Sequence, residues 1–280
     1  MNLYVTTDEL KTFGLSATDA KLAMLNKQAT SIVNGIIGVS DFSLHKVTSE
    51  IHDSNGQLIY LRERPVIAIG KILNDDVEYS QNNEYDILSN RLKLENYLSA
   101  GSRNLKIDYA AGFNSYAMAK ITVTNYANIA AAATITLGAI ATDGYTITRG
   151  TDWTAGTSND TEAENIAKAI EAKAGTSAFA LRNVIYVLEA TNPQITTRTI
   201  AVSDAVRLAL SAATLSGVNF PEDIRLAVML YVGNLLQIGR NPRMKSYSIG
   251  SKSVSFSSEA EFTEFKNALK PYMPVGVFAI

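Results

Sequence analysis

A chain of 280 residues with 46% hydrophobic and 19% charged side chains has ordinary globular composition, which excludes disordered and fibrous classes and is comfortable for two domains. It contains no cysteine, so a disulfide framework, thiolate zinc sites and cysteine nucleophiles are excluded together. A net charge of -2 argues against a protein that grips nucleic acid, because phosphate neutralisation supplies most non-specific affinity.

The N-terminal residues are polar, with no basic region ahead of an apolar stretch, so no secretory signal is expected. No run approaches the ~18 apolar residues that span a bilayer. Residues 1–15 predict a short helical turn capped by Thr6 or Thr7 and stopped at Gly14. Ser16 and Asp19 make a capping-box-like start for a helix to about Ile37. Its Leu22, Leu25, Ala29, Ile32, Val33 and Ile36 fall on one stripe. Val47 and Ile51 then alternate with Thr48, Glu50 and His52 in a strand, and the Asn55-Gly56 hairpin signal returns the chain through Leu58–Leu61.

From Arg64 to Asn114 the pattern is that of an antiparallel meander. Leu105, Ile107 and Tyr109 alternate with Asn104, Lys106 and Asp108, and Leu92 and Leu94 alternate with Arg91, Lys93 and Glu95. Pro65 stands at the head of the Val66–Leu73 run, and Asn74-Asp75-Asp76 and Ser89-Asn90 mark turns. One face of this meander should pack on helices at the two ends of the chain. Downstream, Pro221, Glu222 and Asp223 open a helix that buries Ile224, Ala227, Val228, Tyr231, Leu235 and Ile238. Ser258 and Glu261 open a last one that buries Phe262, Phe265, Leu269 and Tyr272.

Between these lie residues 115–217, about the size of a small domain. Threonine-rich alternation predicts strands at Ile121–Tyr126, Ala133–Leu137 and Tyr145–Thr148. Asn159 or Thr161 caps a helix through about Ala174, with further strands near Val184–Ala190, Thr197–Val202 and Arg207–Ser211. The fold class expected is therefore α+β: a helical core packed on an antiparallel β-meander, with an inserted small α+β domain. The expected domains are a core from 1–114 and 218–280 and an insert at 115–217.

This order of motifs resembles the head–tail connector (adaptor, or head-completion) proteins of tailed bacteriophages. The matching pieces are the N-terminal TTDELKTF ahead of a capped helix, LRERPV at 61–66 and KIDYAAGF at 106–113. The FPEDIRLAVMLYV helix and the SYSIGSKSVSF segment complete the match. The family goes almost directly from the glycine turn into the Pro-led helix, so the insert is a departure. Its TDWTAGTSNDTEAENIAKAIEA segment resembles a small module that recurs as an insertion in phage structural proteins.

The resemblance implies a structural protein of the virion, found in the host cytoplasm during assembly. It would form a dodecameric ring at the head–tail interface, binding the portal protein and a downstream neck, stopper or tail protein. DNA would pass through its channel without specific binding, and no membrane or cofactor is involved. Residues carrying docking under that reading are Met273, Val275, Val277, Phe278 and Ile280, in an apolar, uncharged segment that proline biases toward extended structure. Arg240, Arg243, Lys245 and Lys252 form a basic loop suited to the channel or to a neighbouring subunit.

Signals for chemistry are few. His45 and His52 lack companions for a zinc site. Asp75, Asp76 and Asp152 sit where turns favour aspartate for backbone reasons. No phosphate-binding glycine loop or nucleophile elbow occurs, so no enzyme is expected. Lys11, Lys21 and Lys27 read as a solvated helix face. Trp153 reads as an anchor for the insert's own core. The alternative function is a phage decoration or adhesion protein whose insert binds a host surface ligand, which requires Trp153 and neighbouring tyrosines to line an exposed groove.

Overall fold

A computed structural model of the chain describes residues 3–53, 57–79, 85–88, 91–94, 101–113, 116–140, 143–190, 198–217, 220–238, 245–249, 252–256, 265, 267 and 269–272. In order these form α1 (Thr7–Thr12), α2 (Asp19–Ile37), β1 (His45–His52), β2 (Leu58–Tyr60), β3 (Val66–Asn74), β4 (Val77–Glu78), β5 (Tyr85–Leu88), β6 (Arg91–Leu94) and β7 (Leu105–Ala111). The next are β8 (Met118–Val123), β9 (Thr134–Leu137), β10 (Tyr145–Thr148), α3 (Asn159–Glu171), β11 (Thr176–Leu181), β12 (Val184–Glu189), β13 (Ile200–Val202) and β14 (Leu208–Leu210). The last are α4 (Glu222–Ile238), β15 (Lys245–Ile249) and β16 (Lys252–Phe256).

The expected helical core is overturned. Among the described residues the strands are paired antiparallel into five sheets, against four α-helices, so the chain is mainly antiparallel β. The cause is visible in the central stretch, where short β-branched alternations outnumber the helical ones. Two compact units result, one from Met1–Phe42 with Phe220–Ile280, the other from Ser43–Asn219. The expected boundary at 114/115 falls inside the second unit.

Among the described residues the regular structure of the first unit is helical apart from the β15–β16 hairpin. Thr6 and Glu9 close a full capping box on α1. Helix α2 starts at Asp19 with Thr18 as its cap residue, rather than from Ser16, and ends in left-handed Gly38. It packs on α4. Its buried stripe has rotated from the expected one: Asn26, Thr30, Asn34 and Ile37 join Leu22, Leu25, Ala29 and Val33, while Ile32 and Ile36 are half-exposed. The asparagines have partners that no helical periodicity announces. Asn26 Nδ2 donates to Val5 O at 2.6 Å, and Tyr4 Oη donates to Asn34 Oδ1 at 2.6 Å while accepting from the Phe42 amide at 2.6 Å. Buried polar groups need such partners, and here they fix the segment before α1 onto α2. On α4, Ile224, Ala227, Val228, Tyr231, Val232 and Leu236 are buried, whereas Leu235 is half-exposed. Tyr231 packs against Phe265, 5.5 Å between centroids, and Leu269 is also buried; the cap at Ser258 and Glu261 lies outside the described residues.

In the second unit the meander is two sheets. One has the order β1-β7-β3-β4, the other β2-β6-β5. Leu105, Ile107 and Tyr109 are buried as their alternation requires, and they share one cluster with Ile59, Leu92 and Leu94 of the other sheet. The meander's apolar face is therefore matched by its own second sheet. The Val47–Ile51 alternation fails at a bulge. Three steps along β1, Val47 to Glu50, span two along β7, with Ser49 at φ 52°. An extra residue turns every later side chain to the other face, so Glu50 is buried and Ile51 is exposed.

The insert folds as β11-β12-β8-β14 and β10-β9-β13 around a cluster that includes Ile121, Ile135, Trp153, Ile166, Ile170, Ile185 and Val187. Ser158, not Asn159 or Thr161, caps α3 by accepting from Thr161 N at 3.1 Å, and the helix ends at Glu171. Strand β12 is apolar on both faces. Ile185 and Val187 point into the insert's core, while Tyr186 and Leu188 join Leu44, Ala110 and Leu181 in a second cluster shared with the meander. Arg182 reinforces that seam by donating to Gly70 O and pairing with Glu78 at 2.9 Å.

The glycine turn that closes β7 is sterically obligatory. Gly112 has φ 105°, and a Cβ there would lie 2.2 Å from Ser43 O, a backbone atom with nowhere to go. Gly112→Ala is expected to destabilise the protein by about 1–3 kcal/mol or more. Urea melts of the variant check this; an unchanged midpoint would contradict the geometry.

Candidate functional site

Three buried carboxylates are the strongest polar features of the second unit. Glu50, carried inward by the β1 bulge, accepts from Tyr109 Oη, from the Arg62 amide at 3.0 Å and lies 2.7 Å from His52 Nε2. Tyr109 Oη in turn accepts from the Glu63 amide at 3.1 Å. Burial acts to raise the Glu50 carboxyl, but the bonds from His52, Tyr109 and Arg62 outweigh it and hold the group below its ordinary value. The same burial, with Glu50 beside it, pushes the Tyr109 phenol upward. The cluster ties one end of β1 to the 61–65 segment.

Glu162 lies in the first turn of α3, fully buried. It accepts from Trp153 Nε1 at 3.0 Å and from the Gly156 amide, and pairs with Arg149 Nε at 3.2 Å. Trp153 itself is 3% exposed. Its ring is thus a core anchor and its N–H is taken, so the exposed aromatic groove that the adhesion alternative needs does not form around it.

Glu189, Arg198 and Asp143 form the third group. Arg198 is fully buried, with Nε 2.5 Å from Glu189 Oε2, Nη2 2.6 Å from Asp143 Oδ2, and Nη1 donating to Gly138 O at 2.8 Å. Burial works against the guanidinium charge, and the two carboxylates more than restore it. Each group binds strands and loops to one another, and every charge has a partner.

The turn aspartates do backbone work. Asp152 accepts from the Thr148 amide at 2.8 Å and from Lys173 Nζ at 3.0 Å; these two bonds hold its carboxyl below the ordinary range. Asp75 and Asp76 adopt positive φ in the β3–β4 turn. His45 Nδ1 meets Ser43 O at 2.7 Å, far along β1 from His52. Among the described residues no three His, Asp or Glu side chains gather to hold a metal ion, and no helix is long and apolar enough to cross a membrane.

Met273, Val275, Val277, Phe278 and Ile280 lie outside the described residues, as do Arg240 and Arg243. Lys245 and Lys252 belong to the β15–β16 hairpin, where they pair with Phe256 and Ile249 in the backbone register, their side chains lying outside the description.

A cleft of about 530 Å³ beside α3 and β11 is lined by Ala167, Ala178, Ala180 and Phe179 with Lys46, Lys168 and Glu171. Glu171 already caps the outward Ala178 amide at 2.6 Å, and with Glu164 also on the lining two carboxylates stand against the two lysines. The first unit carries the more distinctive surface. Leu226 and Leu230, one turn apart on α4, are 41% and 44% exposed, and Met24 on α2 is 52% exposed. Sequence periodicity had assigned α4 only its buried stripe. The outer leucines were nonetheless readable as apolar residues off that stripe. The long-range partners of Glu50 and Arg198, Tyr109 and Asp143 among them, left no local signal.

Compared with known proteins, the chain matches no family model and no curated sequence.

Two stability predictions follow from the carboxylates. Because the folded Glu50 value is depressed, its contribution is present above the unfolded value of about 4.3 and is lost as pH falls through the folded one. Tyr109→Phe removes a donor and raises the folded value, so the variant should be less stable than the parent at neutral pH and lose less on acidification, the gap between them narrowing below the unfolded value, as read by thermal melts across a pH series. Arg198→Ala strands Glu189 in the core and should cost about 3–5 kcal/mol in urea melts.

Proposed function

We propose that this chain is a structural, non-enzymatic head–tail connector subunit of a tailed bacteriophage, assembling as a ring that extends the DNA channel from the portal and docks the next neck or tail component. The order of elements supports this reading: an N-terminal helix pair, a strand-rich middle, a Pro-led helix, the β15–β16 hairpin and a closing helical turn at Lys270–Tyr272. The buried carboxylates support it too, since each is engaged in holding the fold.

The observation that carries the proposal is the pair Leu226 and Leu230. They project from the same Pro-led helix that carries the resemblance, away from its buried stripe. Two neighbouring leucines on a helix surface suit a contact that repeats from subunit to subunit. The Met273–Ile280 segment, apolar and uncharged, is assigned the companion role of docking on the portal or a neighbour.

Size-exclusion chromatography with light scattering, with and without the cognate portal, tests this. The full chain should give a closed oligomer or bind portal, and deleting Met273–Ile280 should abolish that while leaving the melting temperature of the monomer nearly unchanged. A chain that stays monomeric and ignores portal sinks the proposal.

A further inference from the structure

We infer that the outer face of α4 in one copy packs against the outer face of α2 in a second copy, a heterologous contact between two different surfaces of the helical unit. The reason lies in how charge accompanies the exposed apolar residues. On α2, Lys21, Met24 and Lys27 follow each other at three-residue spacing, all exposed, and neither lysine has an ion-pair partner among the described residues. On α4, Glu222, Leu226 and Leu230 follow at four-residue spacing, all exposed. Asp223 adds a second carboxylate beside the row.

The acidic end remains acidic after internal pairing. Arg225 is the cation there, 3.0 Å from Glu222 and also paired with Glu9, so one guanidinium serves two carboxylates; Asp223 bonds Tyr272. The α2 row is thus a methionine between two cations, and the α4 row is a leucine pair headed by anions.

Pairing each row with its own copy fails on charge. Two α2 rows set lysine against lysine, and two α4 rows bring Glu222 no new cation. Crossed pairing places Met24 on the leucines and brings the flanking Lys21 to Glu222 and Asp223 at the end of the row. A row at three-residue spacing and a row at four-residue spacing also interdigitate well, at about 20° between axes. The two faces lie opposite the buried stripes of their helices, so both are available on one molecule. A contact of that kind leaves a free face at each end and must either close into a ring or propagate. This deepens the connector reading and rests on it for the expectation of a closed ring.

The test uses the full chain with Met24→Glu and Leu230→Glu made separately, both at exposed positions, with circular dichroism and melting to verify folding. Each variant alone should be monomeric by light scattering, while the parent assembles. Mixed together they should form a 1:1 dimer and stop, because one intact α4 face and one intact α2 face remain. Persistence of parent-sized assemblies in either variant overturns the contact, as does a mixture that stays monomeric. Should a variant melt early, the charge-reversed pair Lys21→Glu and Glu222→Lys replaces it, each weakening assembly alone and the two restoring it on mixing; failure to restore also overturns the contact. If the parent assembles by this contact into open polymers and ignores portal, the contact stands and the connector reading falls. If the parent binds portal yet remains monomeric, the contact falls and the connector reading survives.

Discussion

Two-faced burial of β12 is the constraint on which the larger unit depends. A strand in the middle of a sheet has two faces to satisfy, and here neither meets water. Ile185 and Val187 complete the insert's own core, while Tyr186 and Leu188 complete the cluster with Leu44, Ala110 and Leu181. The sheet is therefore a shared wall. Phe179 stacks on Tyr186 with centroids 4.8 Å apart, and Lys120 lies 5.0 Å over the same tyrosine ring, covering its edge of the wall. At roughly 1.5–3 kcal/mol per buried side chain, the outer face of this one sheet contributes on the scale of a whole domain's net stability. An insertion built this way is a structural layer of its host as well as a module.

Charge is handled consistently inside that unit. Glu50, Glu162, Glu189 and Arg198 are buried, and each is surrounded by donors or acceptors from other elements and loops. Desolvating an ion is expensive, and only several well-placed bonds offset it. What such groups gain is specificity: they accept one arrangement of the neighbouring loops and penalise others. The helical unit follows the same logic with neutral groups, Asn26 and Asn34 pinning the residues ahead of α1.

Much of the local structure was legible in the chain. Most of the α4 stripe, the Leu22, Leu25, Ala29 and Val33 part of the α2 stripe, the burial of Leu105, Ile107 and Tyr109, the threonine-rich strands of the insert and the core role of Trp153 follow from periodicity, capping residues and side-chain size, which act over a few residues. The β1 bulge was not legible, because nothing in His45–His52 states that one residue will be extruded opposite β7. Strand β11 was missed as well, its alanines and single phenylalanine giving too weak an alternation.

The sequence by itself determined which stretches carry an apolar periodicity, where helices lie to within a few residues, and that no cysteine chemistry is present. Only the tertiary structure decided what each face meets: a second sheet inside the meander, the insert against the meander, two asparagines turned inward, and leucines of α4 turned out. The physical reason is range. Propensity, capping and periodicity are set by neighbours within a turn or two, whereas register, bulges and buried ion pairs are settled by groups such as Glu50 and Tyr109, or Arg198 and Asp143, that are more than fifty residues apart.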